Sequence, residues 1–280
     1  MKNILIPIDF KYNSNDAIDY AIHLFGKQEC DFYFLNTYSF NISGLNALEF
    51  LHADEDWYEK PKQASENGLA QFVHKYTFNN GQKKHRFFSI SECESLVKGI
   101  QNAVKELNID LVVMSGKPDK NNNFREYSAN TRNIIENIRT CPLIVVPENA
   151  ELHKDYEFIL ASNFGFEIPT NEIKNWCDLV KMTNGNFKIA TLTDKNVMTD
   201  VQINNQKKAL FEIEKRTAII PKKEYFSDAH YLKKIFSRRS KHIICLIDRK
   251  PNLLRKYGVL KSRITNLGPF ITNPIVALHQ

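Results

Sequence analysis

The stretch from Ile109 to Pro147, IDLVVMSGKPDKNNNFREYSANTRNIIENIRTCPLIVVP, decides the fold class of this 280-residue chain. It begins with the apolar run Leu111 to Met114, and such a short run rich in β-branched residues predicts a strand buried on both faces. A polar loop, a helix with an isoleucine face and a second apolar strand follow. Because ligands of α/β proteins bind where loops leave the carboxyl ends of strands, Ser115 to Thr131 is the predicted ligand-binding loop.

Strand and helix patterns alternate through the rest of the first half. Strands are predicted over residues 3–9, 31–39 and 86–90, and the first of them ends in the carboxylate Asp9. Helices are predicted after residues 13–16, over about 45–78 with an interruption at Pro61, and over 95–107. Because parallel strands need crossover connections, this order predicts an α/β fold with a doubly wound parallel sheet.

The same order returns in the second half. Residues 158–164, FILASNF, stand where residues 4–10 stood and place Asn163 opposite Asp9. Helices are predicted over residues 170–182, 201–216 and 228–236, and strands over 186–192, 218–220, 242–247 and 273–278. The chain is therefore expected to hold one domain over residues 1–148, a linker over 149–156 and a second, degenerate domain over 157–280.

Composition sets the class of protein. With 42% hydrophobic and 25% charged residues, the chain is an ordinary globular protein with two domains, each expected to have its own core. No apolar run is long enough to span a membrane, and the amino terminus leads straight into a strand, so a cytoplasmic location is expected. The five cysteines are scattered without a Cys/His cluster, and no metal site is expected.

Charge is shared unevenly between the halves. Residues 1–150 carry 16 basic and 19 acidic residues, and residues 151–280 carry 22 and 13, so the second half alone has a net charge of +9. A basic half is compatible with an acidic partner or nucleic acid, but no nucleic-acid-binding motif accompanies the charge. A solvated basic surface is the simpler interpretation.

Four segments of the first half resemble one protein family. ILIPIDF, NIDLVVMSG, a helix beginning SANT, and CPLIVVP resemble the universal stress protein family, and together they cover nearly all of residues 1–148. The second half matches more weakly, through FILASNF, IICLID and NPIVALH. The resemblance implies a tandem member with two Rossmann-like, adenine nucleotide alpha hydrolase-like five-stranded sheets of strand order 3-2-1-4-5. It also implies association through the last strands, as an intramolecular pseudo-dimer, and leaves a homodimer open.

Members of this family that bind ATP share a glycine-rich loop after the fourth strand, and this chain departs from that pattern. Glycine lets phosphate oxygens approach backbone N–H groups closely at a helix N-terminus. The three glycine positions fall here on Ser115, Pro118 and Ser128, and the following Ser or Thr position falls on Ala129. The carboxylate at the end of the first strand, which contacts the nucleotide in binding members, is kept as Asp9.

Two interpretations of the loop stay open. In the first, six residues form a reshaped site for a nucleotide or anion, which makes ATP a candidate ligand of the first domain: Asp9, Gly116, Lys117, Ser128, Asn130 and Thr131. In the second, Asp9 caps a strand, Ser128 caps a helix, the loop is solvated, and no cofactor is expected. The equivalent loop of the second domain, residues 248–263, has Gly258 as its sole glycine and Asn163 in place of the carboxylate, so ATP is less expected there.

No pattern predicts catalysis. The histidines are scattered, and no HExxH, GxSxG or Walker loop occurs. The acidic run Asp54 to Asp56 is interpreted as a solvated face. The apolar segment around residues 40–58 is interpreted as a cover of the sheet or a domain interface, with a lipophilic pocket as the alternative.

Three functions follow from these patterns. The first is a non-enzymatic cytoplasmic stress-response protein that binds a partner or a small molecule. The second is a regulatory switch whose first domain binds ATP or another adenine nucleotide. The third is a binder of nucleic acid or an anionic partner through the basic second half.

Overall fold

The computed structural model describes residues 1–10, 14–40, 55–79, 84–119, 121, 125–237, 239–249 and 262–279. Ten strands form one sheet in the order β3-β2-β1-β4-β5-β10-β9-β6-β7-β8. Strands β1 to β5, which we call the first unit, are Lys2–Pro7, Cys30–Tyr38, His85–Cys93, Leu111–Ser115 and Leu143–Val146. Strands β6 to β10, the second unit, are Glu157–Ser162, Asn186–Thr191, Lys222–Tyr225, His242–Asp248 and Ile275–His279.

Helices connect the parallel strands within each unit. Those of the first unit are α1 (Ser14–Leu24), α2 (Glu55–Asn79), α3 (Leu96–Glu106) and α4 (Ala129–Asn137). Those of the second unit are α5 (Thr170–Met182), α6 (Asp200–Thr217), α7 (Ala229–Phe236) and α8 (Arg263–Leu267), with a 3₁₀ turn at Lys195–Val197.

The predicted fold class is confirmed. The first unit has strand order 3-2-1-4-5 with parallel pairing throughout, and the second unit repeats that order as β8-β7-β6-β9-β10. The two units meet where β5 pairs antiparallel with β10, with Ile144 opposite Val276. Equivalent strands that pair in this way are typical of a two-fold arrangement.

The apolar core differs from the expectation of one core for each domain. Two layers of buried side chains lie on opposite faces of the sheet, and each layer runs through both units. One layer holds Phe32 together with Trp176, and the other holds Val112 together with Ile244. Because β5 and β10 join the two sheets into one, each face is covered as a single surface.

The interruption predicted at Pro61 is wrong. Helix α2 runs without a break from Glu55 to Asn79 with Pro61 inside it, while residues 45–54 of the predicted helix lie outside the described residues. Proline removes one backbone hydrogen bond, and here it does so in the second turn. The rest of the helix is held on the sheet by Leu69, Phe72 and Tyr76, and such packing supplies most helix stability in proteins.

The strand predicted over residues 218–220 is also wrong. Ala218 is the left-handed C-cap of α6, with φ of 57°, and Ile220 is 69% exposed. The strand begins at Lys222 instead. Because β8 is an edge strand with the polar sequence KKEY, it carries no apolar signal.

Candidate functional site

A cavity of about 240 Å³ lies at the carboxyl ends of β1 and β4, which we call the first cavity. The strand order reverses between these two strands, and this is where ligands of open α/β sheets bind. The structure brings together five of the six predicted site residues in its lining: Asp9, Lys117, Ser128, Asn130 and Thr131. Gly116, the sixth, does not line it among the described residues.

An ion pair joins the two charged residues of the first cavity. Asp9 follows β1 and Lys117 follows β4, and the Lys117 ammonium donates to the Asp9 carboxylate. The side chains are 51% and 24% exposed, so the pair lies at the mouth of the cavity. The Ser14 hydroxyl donates to the backbone oxygen of Asp9 at 3.1 Å and fixes the chain there. The cavity therefore offers a ligand both a carboxylate and an ammonium group.

The amino end of α4 forms one wall of the cavity. The hydroxyl oxygen of Ser128 accepts from the Thr131 N–H at 3.4 Å, and the two hydroxyls are 3.0 Å apart. Ser128 is thus the predicted helix N-cap, and Thr131 is buried behind it. The Ser128 hydroxyl therefore accepts from a helix N–H, and both residues line the cavity.

Three backbone N–H groups in the described part of the loop are bonded to carbonyls of the protein. The Gly116 N–H donates to the Val146 carbonyl at 2.7 Å, which extends the pairing of β4 with β5. The Asp119 N–H donates to the Glu126 carbonyl at 2.7 Å, and the Ser128 N–H donates to the Lys117 carbonyl at 2.8 Å.

Three further contacts hold the loop in this hydrogen-bonded arrangement. Pro118 forms an antiparallel bridge with Tyr127 and has no N–H to donate. The Arg132 guanidinium donates to Glu126 at 2.6 Å. A Cβ atom on Gly116 would lie 2.6 Å from a Val145 methyl group, so glycine is required here by packing against β5. The described part of the loop pairs with itself and with β5 instead of presenting a row of free amides.

Sequence reasoning missed several residues that line the first cavity. Asn36 and Thr37 lie near the end of β2 and reach the cavity beside Asp9, and Asn36 donates to the Ile8 carbonyl at 2.8 Å. The available signal was the change from apolar to polar residues within the segment FYFLNT, because side chains at the ends of neighbouring parallel strands meet at one edge of the sheet.

A buried ion pair connects the two units. Arg139, which follows α4, donates to the Asp248 carboxylate at 2.6 Å and to the Asp248 carbonyl at 2.9 Å. The Asp248 side chain is 1% exposed. Close by, the His279 N–H donates to the Glu172 carboxylate at 3.1 Å, and burial raises the pKa of Glu172. No sequence motif indicated these contacts, because each joins residues more than 100 positions apart.

Helix α4 also contacts the loop region of the second unit. The Glu136 carboxylate accepts from the Ser262 N–H at 3.2 Å and from the Thr265 hydroxyl at 2.9 Å. Ser262 is the N-cap of α8, in the place that Ser128 holds at α4. A carboxylate of the first unit therefore occupies the amino end of α8.

The described residues offer no metal centre and no reactive thiol among the buried cysteines. No group of three His, Cys, Asp or Glu side chains in the described part of the chain could hold a metal ion. Burial raises the pKa of the Cys30 and Cys141 thiols to about 12 and that of Cys177 to about 11, which keeps them protonated. Asp54 of the acidic run lies outside the described residues.

The basic residues of the second half are spread over the surface. Lys222 and Lys223 lie on the edge strand β8, Lys233 donates to the Leu267 carbonyl at 2.6 Å, and Lys188 pairs with Glu157 and Glu224. Three further pairs of adjacent basic residues, 238–239, 249–250 and 255–256, lie partly or wholly outside the described residues.

Two doubly wound α/β units, each with a cavity where its strand order reverses, define a Rossmann-like protein of the α/β class. The sequence model of the universal stress protein family matches residues 1–147, and the chain belongs to this family. That match confirms the identification made from the four sequence segments. No curated protein matches the sequence.

Solved structures are similar over 99% of the chain. A universal stress protein from Archaeoglobus fulgidus DSM 4304 is 10% identical, is 98% covered and gives a TM-score of 0.67. The functionally unknown protein PA1789 from Pseudomonas aeruginosa PAO1 is 11% identical, is 92% covered and gives a TM-score of 0.63. The cytoplasmic domain of a prokaryotic cation chloride cotransporter is 12% identical, is 94% covered and gives a TM-score of 0.53. At such identities the similarity concerns the fold alone.

Family membership supports a function in stress response. None of the helices in the described part of the chain combines the length and apolarity that crossing a bilayer requires.

Proposed function

We propose that this chain is a non-enzymatic cytoplasmic stress-response protein that acts by binding a small molecule or a partner, without using the phosphates of ATP. The observation that carries the proposal is the hydrogen bonding of the loop after β4. The N–H groups of Gly116, Asp119 and Ser128 are bonded to carbonyls of the protein, and Pro118 has none. A triphosphate needs such groups free at close range, because backbone amides neutralise its oxygens.

The first cavity fits a small polar ligand better than a nucleotide. Its volume of about 240 Å³ lies below the usual range for drug-sized ligands, which starts at about 300 Å³. Asp9 and Lys117 supply one charge of each sign, and Ser128 and Asn130 supply neutral polar groups. A ligand that carries both an amino and an acidic group, or a partner side chain of either charge, matches this lining.

A thermal shift series tests the proposal against the nucleotide switch. A ligand present at about 100 times its Kd stabilises a protein by about 2.7 kcal/mol. We expect millimolar ATP with magnesium to leave the melting temperature of the full chain unchanged. A family member with an intact glycine loop, measured in parallel, is the positive control.

The nucleotide switch remains the alternative because Asp9 and the N-cap of α4 are in place. If the switch is correct, ATP should raise the melting temperature saturably, and Asp9→Asn should reduce that increase. Native mass spectrometry of the gently purified chain gives a second readout. An adenine nucleotide that travels with the protein would replace our proposal with the switch.

An anionic partner of the second unit is the second alternative, and the exposed lysines Lys222 and Lys223 on the edge strand favour it. Binding to a mixed-sequence duplex should then fall steeply with salt, because phosphate contacts release counterions. We expect no such binding. A steep salt dependence that Lys222→Gln with Lys223→Gln reduces would support this alternative.

We further propose that the two units act as an intramolecular pseudo-dimer. The antiparallel pairing of β5 with β10 and the Arg139–Asp248 ion pair support this role. Light scattering with size-exclusion chromatography checks whether the chain also forms a homodimer, and we expect a monomer because β5 and β10 are already paired.

A further inference from the structure

The second unit has its own cavity at the position equivalent to the first. This second cavity has a volume of about 350 Å³ and lies at the carboxyl ends of β6 and β9, where Ala161 pairs with Leu246. It is larger than the first cavity and lies within the range of small-molecule pockets, about 300–1,000 Å³.

The two units can be aligned residue by residue from their strand registers. Ile4 pairs with Leu111 in the first unit, and Phe158 pairs with Ile243 in the second. Three polar residues that line the first cavity then correspond to apolar residues that line the second. The corresponding pairs are Thr37 with Leu192, Ser115 with Ile247, and Asn130 with Ile264.

The charged pair of the first cavity is also replaced. Asn163 takes the place of Asp9 and offers an uncharged amide, whose oxygen accepts from the Gly165 N–H at 3.2 Å. Arg249 takes the place of Lys117, and its guanidinium lies over the Phe166 ring, 3.3 Å from the ring centre. The described residues that line the second cavity include no lysine or arginine.

Carboxylates near the second cavity oppose an anionic ligand. Glu136 occupies the amino end of α8, the helix that contributes Ile264 and Leu267 to the lining. Asp228 lies at the rim, and a hydrogen bond from the Tyr231 N–H lowers the pKa of its carboxyl, which keeps it charged. His230 also lines the cavity, and the nearby Lys233 ammonium is bonded to the Leu267 carbonyl. Asp228 is the one carboxylate among the described lining residues, and with Glu136 behind α8 it disfavours phosphate and sulfonate groups.

From this lining we infer that the second unit binds an uncharged, largely apolar small molecule, with Asn163 as a polar contact at one end. Leu192, Leu246, Ile247, Ile264 and Leu267 would surround its apolar body. This inference concerns a different cavity from the proposed function, so the two can fail separately.

Two dyes with similar ring systems test the inference on the full chain. N-phenyl-1-naphthylamine is neutral, and 1-anilinonaphthalene-8-sulfonate carries a negative charge. We expect the neutral dye to bind saturably with one site and at least about tenfold more tightly than the anionic dye, since the charge must be desolvated beside carboxylates. Equal or tighter binding of the anionic dye would overturn the inference.

Variants of the chain show in which cavity the neutral dye binds. Leu192→Thr with Ile247→Ser introduces residue types like those of the first cavity, and we expect the affinity for the neutral dye to fall about tenfold because two apolar contacts are lost. Ile271→Ser is the matched control, since Ile271 is 63% exposed and does not line the cavity, and it should leave the affinity unchanged.

Two outcomes of the variant series contradict the inference. One is an unchanged affinity in the double variant, and the other is a loss of neutral-dye binding in Asp9→Asn, which would place the dye in the first cavity. If the double variant fails to fold, the ratio of the two dye affinities in the unaltered chain still tests the inference.

Discussion

The two cavities occupy the same place in two copies of one fold, and they differ in how each departs from a phosphate site. The first keeps a carboxylate and a lysine, but the amides of its loop are bonded internally. The second has the Asn163 amide in place of the carboxylate and Arg249 over Phe166 in place of the lysine, and Glu136 of the other unit occupies the amino end of its helix α8. The reversal of strand order therefore supplies a cavity in each unit, while the loop residues determine which ligand groups that cavity can bind.

One equivalent position at the carboxyl end of the fourth strand of each unit shows this difference most sharply. In the first unit it is Gly116, which packs against β5 with no room for a side chain. In the second it is Asp248, whose carboxylate is buried against Arg139 of the first unit. The same position therefore serves strand pairing in one unit and attachment between units in the other.

The largest effect is expected from Arg139→Met. It removes the guanidinium that pairs with the buried Asp248 carboxylate, and breaking a buried ion pair from one side typically costs about 3–5 kcal/mol of unfolding free energy. Urea denaturation measures the loss. Arg132→Met, which removes a partly exposed pair with Glu126, is the matched control and should cost less than about 1 kcal/mol.

A double variant sharpens this first prediction. Adding Asp248→Asn to Arg139→Met removes the buried negative charge and should recover part of the lost unfolding free energy. A loss with Arg139→Met no greater than that of the control would show that the ion pair does not hold the units together.

The next effect is expected from Gly116→Ala. The added methyl group would lie 2.6 Å from Val145, and overpacking of this kind costs about 1–3 kcal/mol. Gly165→Ala is the control in the second unit, where the nearest atom would be at 3.5 Å, and its unfolding free energy should barely change. Equal stability of the two variants would mean that the loop can move away from β5.

A smaller effect is expected from Glu136→Ala. The variant removes the acceptor of the Ser262 N–H and the Thr265 hydroxyl, and hydrogen bonds to a charged group contribute about 1.5–3 kcal/mol when buried and less at this partly exposed site. Thermal unfolding measures the change. Asn133→Ala, on an exposed position of the same helix, is the control, and a change no larger than its own would contradict the role given to Glu136.

The smallest effect on stability is expected from Asp9→Asn. The ion pair with Lys117 is about half exposed on the carboxylate side, and pairs of this kind contribute less than about 1 kcal/mol. The reverse exchange in the second unit, Asn163→Asp, should weaken binding of a neutral dye. Unfolding curves for Asp9→Asn that coincide with those of the unaltered chain fit this account, whereas a loss of several kcal/mol would make Asp9 a structural residue.

Much of the fold could be predicted from the sequence, because buried parallel strands are short apolar runs and their crossover helices carry apolar faces. Helix α5, Thr170–Met182, was predicted with the bounds that the structure gives it. The edge strand β8 was misplaced, since a strand with one free edge and polar side chains has no apolar signal. The break expected at Pro61 ignored the packing that holds the helix beyond it.

The site could be predicted only in part. The positions of Asp9, Lys117 and Ser128 follow from the strand order, and the structure places them around one cavity. The internal bonding of Gly116 could not be predicted, because it depends on the distance between β4 and β5. The contacts of Arg139 and Glu136 with the second unit depend on the joining of two sheets, which no local pattern encodes.

Isothermal titration of the full chain with ATP and magnesium measures whether either cavity accepts a nucleotide. Because three loop amides of the first unit are already bonded and the second cavity is largely apolar, we predict no saturable heat up to millimolar ATP. A saturable isotherm that Asp9→Asn abolishes would show that the first cavity accepts a nucleotide, and it would contradict the account.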